Sequence, residues 1–133
     1  MEMVSIKSLS SYRVGSFVLN TKYMIRQYYE FSNVFASREE DTDGNGHLFA
    51  YGYINRDYEL IWEFPYKDVF AISRIVPELK KVEEFISIKH YDEYQKKYKG
   101  KELLQVYTSD WPYDFLFVID ANTGEIYSKM ETR

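Results

Sequence analysis

Aromatic side chains are the feature that most constrains the fold of this chain, since they make up 19% of its 133 residues and include 14 tyrosines and 9 phenylalanines. A chain of this length can bury about two thirds of the surface that its unfolded form exposes, so it can build one core without a staple. Buried tyrosine hydroxyls need hydrogen-bond partners, and this many rings cannot all lie inside. We therefore expect a single domain, residues 1–133, with tyrosines at the rim of a large core or on a surface that contacts a partner.

Composition excludes several classes of protein. The chain has no cysteine, which excludes disulfides, thiolate metal sites and cysteine nucleophiles. The apolar run Phe115–Ile119 is far shorter than the roughly 20 residues that cross a bilayer. Met1–Leu19 has no basic segment followed by an apolar run, so we expect a cytoplasmic protein without membrane contact. The net charge of -4 argues against non-specific nucleic-acid binding.

The first third of the chain predicts a strand followed by a helix. Tyr12–Leu19 is typical of a strand, and Asn20 is a good helix cap. Apolar side chains then recur at spacings of four, three and four, which places them on one helical face. These residues are Met24, Tyr28, Phe31 and Phe35.

The next segment predicts a loop and a hairpin. Residues 38–46 are the most polar stretch of the chain and predict an exposed loop. His47–Ile54 and Tyr58–Phe64 predict two strands joined by Asn55–Asp57. If Ile54 lies opposite Tyr58, the strands have one core face and one outer face. The core face is Leu48, Ala50, Ile54, Tyr58, Leu60, Trp62 and Phe64, and the outer face is Phe49, Tyr51, Tyr53, Glu59, Ile61 and Glu63.

The second half predicts two further helices and three strands. Pro77 suits the first turn of a helix whose apolar stripe is Leu79, Val82 and Phe85 or Ile86, and Gly100 can end another helix over Asp92–Lys99. The predicted strands are Glu102–Thr108, Phe115–Asp120 and Glu125–Tyr127. Phe115–Ile119 is apolar on both faces, as in a central strand. The chain therefore predicts an α+β fold, with an antiparallel sheet of four to six strands and two or three helices.

The segment Asp41–Gly46 resembles the first half of an EF-hand calcium loop. Asp41, Asp43 and Asn45 stand where oxygen ligands are required, and Gly44 and Gly46 allow a turn. The twelfth position, which should be a bidentate glutamate, is Gly52. A solvated turn accounts for the same residues, so calcium binding is an alternative and the prediction is no metal and no cofactor.

Catalysis and nucleic-acid binding have little support. The two histidines, His47 and His90, do not share a helical turn, and no serine lies in a Gly-x-Ser-x-Gly motif. Tyr94–Lys101 alternates lysines with rings, as in some single-strand binders. Lysines near a helix C-terminus are also favoured by the helix dipole alone. We expect binding rather than catalysis, with an enzyme or small-ligand protein that has a pocket of tyrosines and acids as the alternative.

Two surfaces are candidates for binding a partner. Rings and carboxylates alternate on the outer face of the hairpin and would suit basic or apolar groups, unless a helix of the same domain covers that face. Trp111 lies beside a proline in the polar segment Ser109–Asp114, where it is either an anchor or a lid over the core. The predicted partner-binding residues are Phe49, Tyr51, Tyr53, Glu59, Glu63 and Trp111.

Two local resemblances bear on function. Phe35–Phe64, a polar glycine turn followed by an aromatic hairpin, resembles the middle of the bacterial SUKH immunity proteins, which implies an immunity-type factor. Phe115–Tyr127 is similar to the closing hairpin of PepSY domains. The aromatic surplus, the acidic balance and the lack of a catalytic constellation lead us to expect a small binding module that acts on another protein as an inhibitor, immunity-type or regulatory factor, or that pairs with itself as a homodimer.

Overall fold

A computed structural model describes residues 4–8, 11–14, 17–54 and 57–132, with side chains described within 20–53 and 57–132. Strands hold 53% of the residues, and the described part contains a single α-helix. The predicted α+β fold with two or three helices is therefore wrong. Two four-stranded antiparallel sheets dominate the structure instead.

The elements follow one another as mostly short strands. The first strands are β1 (Val4–Ser8), β2 (Ser11–Val14), β3 (Phe17–Asn20), β4 (Met24–Glu30), β5 (Phe35–Glu40), β6 (Gly46–Ile54) and β7 (Asp57–Glu63). The later elements are β8 (Val69–Ile75), two 3₁₀ turns (Pro77–Leu79 and Val82–Glu84), α1 (Ile88–Tyr98), β9 (Leu103–Asp110), β10 (Tyr113–Asp120) and β11 (Ile126–Glu131).

The strands form three antiparallel sheets, two of which pack together as a sandwich. Their orders are β1-β2-β3, β4-β5-β6-β7 and β11-β10-β9-β8. The main core lies between the two four-stranded sheets, because Leu48, Ala50 and Trp62 of one sheet join Val106 and Phe117 of the other in a single buried cluster. The indole Nε1 of Trp62 donates to the carbonyl of Ala121 at 3.0 Å and satisfies its only polar atom within that core.

The predicted helix with Met24, Tyr28, Phe31 and Phe35 on one face does not form. Met24 and Tyr28 lie in β4, and Phe35 begins β5. Phe31 belongs to the core between the sheets, whereas Phe35 packs on the opposite face of its own sheet. The four residues have helical spacing only by coincidence, because they lie on two strands and on the bend between these strands. Tyrosine favours strands, and this segment contains several.

The helix predicted from Pro77 is also wrong, while the one predicted to end near Gly100 is confirmed. Pro77 begins a single 3₁₀ turn. The helix α1 begins at Ile88, four residues before the predicted start, and Ser87 caps it by accepting from the His90 amide. Its Tyr94 and Tyr98 pack on the outer face of the β8–β11 sheet, so β10 is covered on both sides as predicted.

The hairpin forms with a register different from the assumed one. Ile54 lies opposite Asp57 and Tyr53 opposite Tyr58, and a bulge at Tyr51 adds a residue to β7. Leu48, Ala50, Trp62 and Phe64 do face the core. Tyr58 and Leu60 instead share the outer face with Tyr51 and Tyr53, while Glu59 lies opposite Gly52.

Candidate functional site

The structure separates the predicted partner-binding residues into three environments. Phe49 and Tyr51 are buried, at 1% and 6% exposure, in an aromatic cluster on the outer face of the β4–β7 sheet. The only described helix packs on the other sheet, so α1 does not cover this face. Tyr53, Glu59 and Glu63 are exposed. Trp111, at 82% exposure, lies in the turn between β9 and β10.

Strand β7 is an exposed edge of its sheet in the described structure. Leu60 and Ile61 are 51% and 37% exposed. Leu60 lies opposite Tyr51 on the outer face, whereas Ile61 is the bulged residue and its side chain lies against Gly52 at the edge of the sheet. The amide of Tyr58 donates to Asp57 Oδ1 at 2.8 Å. We name the exposed set the β7 strip, and its members are Tyr53, Asp57, Glu59, Leu60, Ile61 and Glu63. The β7 strip carries three acids and no basic residue.

The Asp41–Gly46 segment is a tight loop between β5 and β6. Asp41 Oδ1 accepts from the amides of Asp43 at 2.9 Å and Asn45 at 3.0 Å, and Asp41 Oδ2 lies 2.8 Å from His47 Nε2. The bond with His47, followed by that with Asn45, holds the pKa of Asp41 below its usual value. Both carboxylate oxygens are thus occupied in shaping the turn. In the described part of the chain, no group of three or more histidine or acidic side chains is placed to hold a metal ion.

Calcium is expected to leave the thermal stability of the protein unchanged. A cation would compete with His47 and two amides for the carboxylate of Asp41, and the glutamate that completes an EF-hand sphere is absent. A ligand that binds only the native state must raise the unfolding midpoint. Differential scanning calorimetry with 5 mM calcium and with chelator, on wild type and D43A, measures this directly. A calcium-dependent rise that D43A abolishes would establish the EF-hand-like alternative.

A cleft of about 410 Å³ lies at the end of the sandwich where this loop meets the opposite sheet. The end of β5 and the β5–β6 loop form one wall, and the start of β8 and the β9–β10 turn form the other. Its lining residues are Arg38, Glu40, Gly44, Gly46, Asp68, Val69, Phe70, Ser109 and Trp111. The structure therefore brings together two segments that the sequence analysis marked separately, Asp41–Gly46 and Ser109–Asp114.

Arg38 is positioned in this cleft by a network that links the two sheets. Its Nε donates to Gln27 Oε1 at 3.1 Å, and the same oxygen accepts from the Ile72 amide at 3.1 Å. Gln27 Nε2 donates to the Ile72 carbonyl at 2.8 Å, so one side chain satisfies both backbone groups of an edge residue in β8. Burial lowers the pKa of Arg38, but a guanidinium keeps its charge at neutral pH.

The charges around Arg38 are unequally paired. Glu40 binds Arg26, with Nε to Oε2 at 3.0 Å and Nη2 to Oε1 at 3.4 Å. Within the described structure, Arg38 makes no ion pair within 4 Å, and its only side-chain hydrogen bond is the one from Nε. Asp68 is exposed and has the positive φ of 59° that is uncommon outside glycine. Its carbonyl accepts from the Ser109 amide at 3.1 Å, which ties the two sides of this wall together.

A buried carboxylate lies beneath the aromatic outer face, and sequence reasoning placed it in an exposed loop. Glu39 is 0% exposed and accepts from the Tyr23 amide and the Tyr51 hydroxyl, both at 2.8 Å. Burial raises the pKa of Glu39, against the opposing effect of these hydrogen bonds. Residues 38–40 belong to β5, and Gly46 is buried at the start of β6, so the prediction of an exposed loop over 38–46 is wrong at these four positions. No local pattern distinguishes Glu39 from Glu40.

The two histidines make separate local contacts. His47 pairs with Asp41, and His90 Nδ1 lies 2.7 Å from Ser87 Oγ at the start of α1. His47 lies near the start of β6 and His90 in the first turn of α1, so they are on separate elements. The lysine-rich Tyr94–Lys101 segment forms the end of α1, where Lys96 and Lys97 are favoured by the helix dipole.

Comparisons with known proteins give no match to a family model, a curated protein or a solved structure. None of the described helices is long and apolar enough to span a bilayer. The class supported by the fold is thus a β-sandwich with one helix packed on an outer face, and its function must be inferred from the residues themselves.

Proposed function

We propose that this protein is a cytoplasmic binding module that acts on another protein, and that the β7 strip is its contact surface. The observation that carries the proposal is an edge strand whose exposed side chains are apolar or acidic and whose outer side has no neighbouring strand in the described sheet. Edge strands offer unpaired backbone groups to an added strand, and exposed apolar side chains supply the contact area.

The chemistry of the strip favours a partner with basic and apolar side chains. Asp57, Glu59 and Glu63 would pair with lysine or arginine, while Leu60 and Ile61 would contact apolar groups. An inhibitor or immunity-type factor would use such a surface to block a basic region of its target. Acids, a bulge and the bond from Tyr58 to Asp57 also serve to protect an edge from aggregation, so the proposal needs a test that separates protection from recognition.

Self-association through the β7 strip is disfavoured by its charge. Two copies that met through the strip would bring Asp57, Glu59 and Glu63 of one copy against the same three acids of the other. Like charges directly opposite each other destabilise a strand pair. The strip therefore suits a different protein better than a second copy of this chain.

Charge reversal on the strip is expected to abolish partner capture without unfolding the protein. Immobilised wild type, E59K/E63K and E83K/E93K would be incubated with nuclease-treated lysate of the source organism. Both variants change the net charge equally, and Glu83 and Glu93 are exposed in the 3₁₀ turn and α1. We expect a protein with a basic contact region to be retained by wild type and E83K/E93K, and reduced at least tenfold with E59K/E63K.

Hydrogen exchange, measured with and without the purified partner, then tests whether the partner binds along β7. Binding should slow exchange of β7 amides, because an added strand would take up their outward hydrogen bonds. Equal capture by all three forms, or capture with unchanged exchange in β7, would contradict the proposal.

A further inference from the structure

The cleft between the Asp41–Gly46 loop and the Trp111 turn has the features of a separate ligand site. None of its lining residues lies on β7, so it is independent of the proposed protein contact. Its volume of about 410 Å³ is within the range of small-molecule sites, roughly 300–1,000 Å³. It also combines the two elements that such sites require, apolar rings and a few polar groups.

The rings belong to two side chains that are exposed at the mouth of the cleft. Phe70 is 49% exposed and Trp111 is 82% exposed. The ring of Phe70 packs against the ring of Tyr107, with the two centroids 6.0 Å apart. Trp111 lies in the turn between β9 and β10. Rings placed in this way provide apolar contact area at a low entropic cost.

The polar groups consist of one cation and one anion without an ion-pair partner in the described structure. Arg38 has its Nε fixed by Gln27, which leaves the two terminal nitrogens of its fork available to an acceptor. The other nearby carboxylate, Glu40, is already bound by Arg26. Asp68 makes no side-chain hydrogen bond in the described structure, and its backbone is held by Ser109. A planar guanidinium with two free nitrogens matches a carboxylate in a bidentate manner.

We propose that this cleft binds a carboxylate that is next to an N–H donor and an apolar side chain, as in a free apolar amino acid or at the C-terminus of a polypeptide. Arg38 binds the carboxylate, Asp68 accepts from the ammonium or amide N–H, and Phe70 and Trp111 contact the apolar side chain. Glu40 lies near enough to Arg38 to influence its charge, so it weakens the attraction for a second carboxylate.

Three probes test the chemistry and distinguish the two sources. L-phenylalanine represents the free amino acid, acetyl-Gly-Gly-Phe represents a polypeptide C-terminus, and acetyl-Gly-Gly-Phe amide lacks the carboxylate. Isothermal titration should show saturable binding of at least one acid, and binding of the amide at least tenfold weaker than that of its matched acid. Preference for the amino acid or for the peptide identifies the source.

Variants of the cleft should then change affinity in opposite directions. R38Q is expected to lose at least tenfold in affinity, W111A severalfold, and E40Q to gain severalfold, while K96Q, which removes a distant exposed charge on α1, should have no effect. W111A removes a largely exposed side chain and so keeps the test valid if R38Q weakens the fold. No saturable binding of either acid, equal affinity for acid and amide, or unchanged affinity in both R38Q and W111A would overturn the proposal.

Discussion

Replacing Gly46 with alanine is expected to destabilise the protein by about 3 kcal/mol, because the added methyl group would overlap the backbone of the opposite sheet. A Cβ at this position would collide with the carbonyl oxygen of Val69 and approach its amide nitrogen at 3.3 Å. Backbone atoms cannot rotate aside as a flexible side chain can. The two sheets would have to separate where the cleft begins.

Gly44 provides the matched control, since its requirement for glycine has a different cause. Nothing lies within 4 Å of a Cβ at Gly44, but its φ is +86°. G44A should therefore cost only about 1 kcal/mol, from backbone conformation alone. Urea unfolding followed by tryptophan fluorescence measures both variants. An equal or smaller loss in G46A would show that the sheets do not depend on this close approach.

The strands that could be predicted are those whose pattern is local. His47–Ile54, Glu102–Thr108 and Phe115–Asp120 combine apolar or aromatic residues with turn residues at their ends, and all three form strands. The turn before β11 was also predictable, because Asp, Asn and Gly favour turns. In the structure, Asp120 Oδ1 accepts from the amides of Asn122 and Thr123. Gly124 takes a positive φ of 80° there.

The errors arose where tertiary contacts override local pattern. β8 was not predicted at all, and its Ile72 is one of the residues that joins the two sheets. The bulge opposite Tyr51 adds one residue to β7 and so changes which of its side chains face the core. No pattern in the sequence indicates the position of that extra residue. For β8, the deciding contacts lie many residues away along the chain, in the opposite sheet.

The candidate sites show the same division. Trp111 could be singled out from its neighbours, but Arg38, Asp68 and Phe70 could not, because they meet only after two sheets have packed. Phe49 and Tyr51 could be singled out from the sequence, but their burial could not be predicted from it. The sequence left open whether their face is accessible or covered, and both are buried beside Glu39, a residue that sequence reasoning assigned to solvent.

Glu39 is expected to be the most costly polar side chain to remove. It accepts hydrogen bonds from the start of β4 through Tyr23 and from β6 through Tyr51, and it is itself part of β5. E39A would leave the Tyr23 amide and the Tyr51 hydroxyl without this acceptor inside an aromatic cluster, at a cost of about 2–4 kcal/mol. E40A, which removes an exposed ion pair with Arg26, should cost less than about 1 kcal/mol.

The isosteric variant E39Q should reveal how the charge of Glu39 affects stability as pH changes. Burial raises the pKa of Glu39 in the folded protein above its value of 4.5 in the unfolded chain. The protonated form is therefore favoured by folding, so this contribution to stability is fully present below pH 4.5 and is lost as pH rises through the folded pKa. Glutamine resembles the neutral acid at every pH and removes this dependence.

The free energy of unfolding of wild type minus that of E39Q should accordingly fall as pH rises from about 4 to 8. Urea titrations at five pH values would measure it, and E40Q serves as the control for removing a neighbouring acid. Taking the difference cancels the other titrating groups, including Asp41, whose lowered pKa has the opposite effect on stability. A flat difference would mean that the hydrogen bonds from Tyr23 and Tyr51 balance burial, so that Glu39 ionises as readily as in water. A difference that rises with pH would mean that these hydrogen bonds outweigh burial and lower the pKa of Glu39.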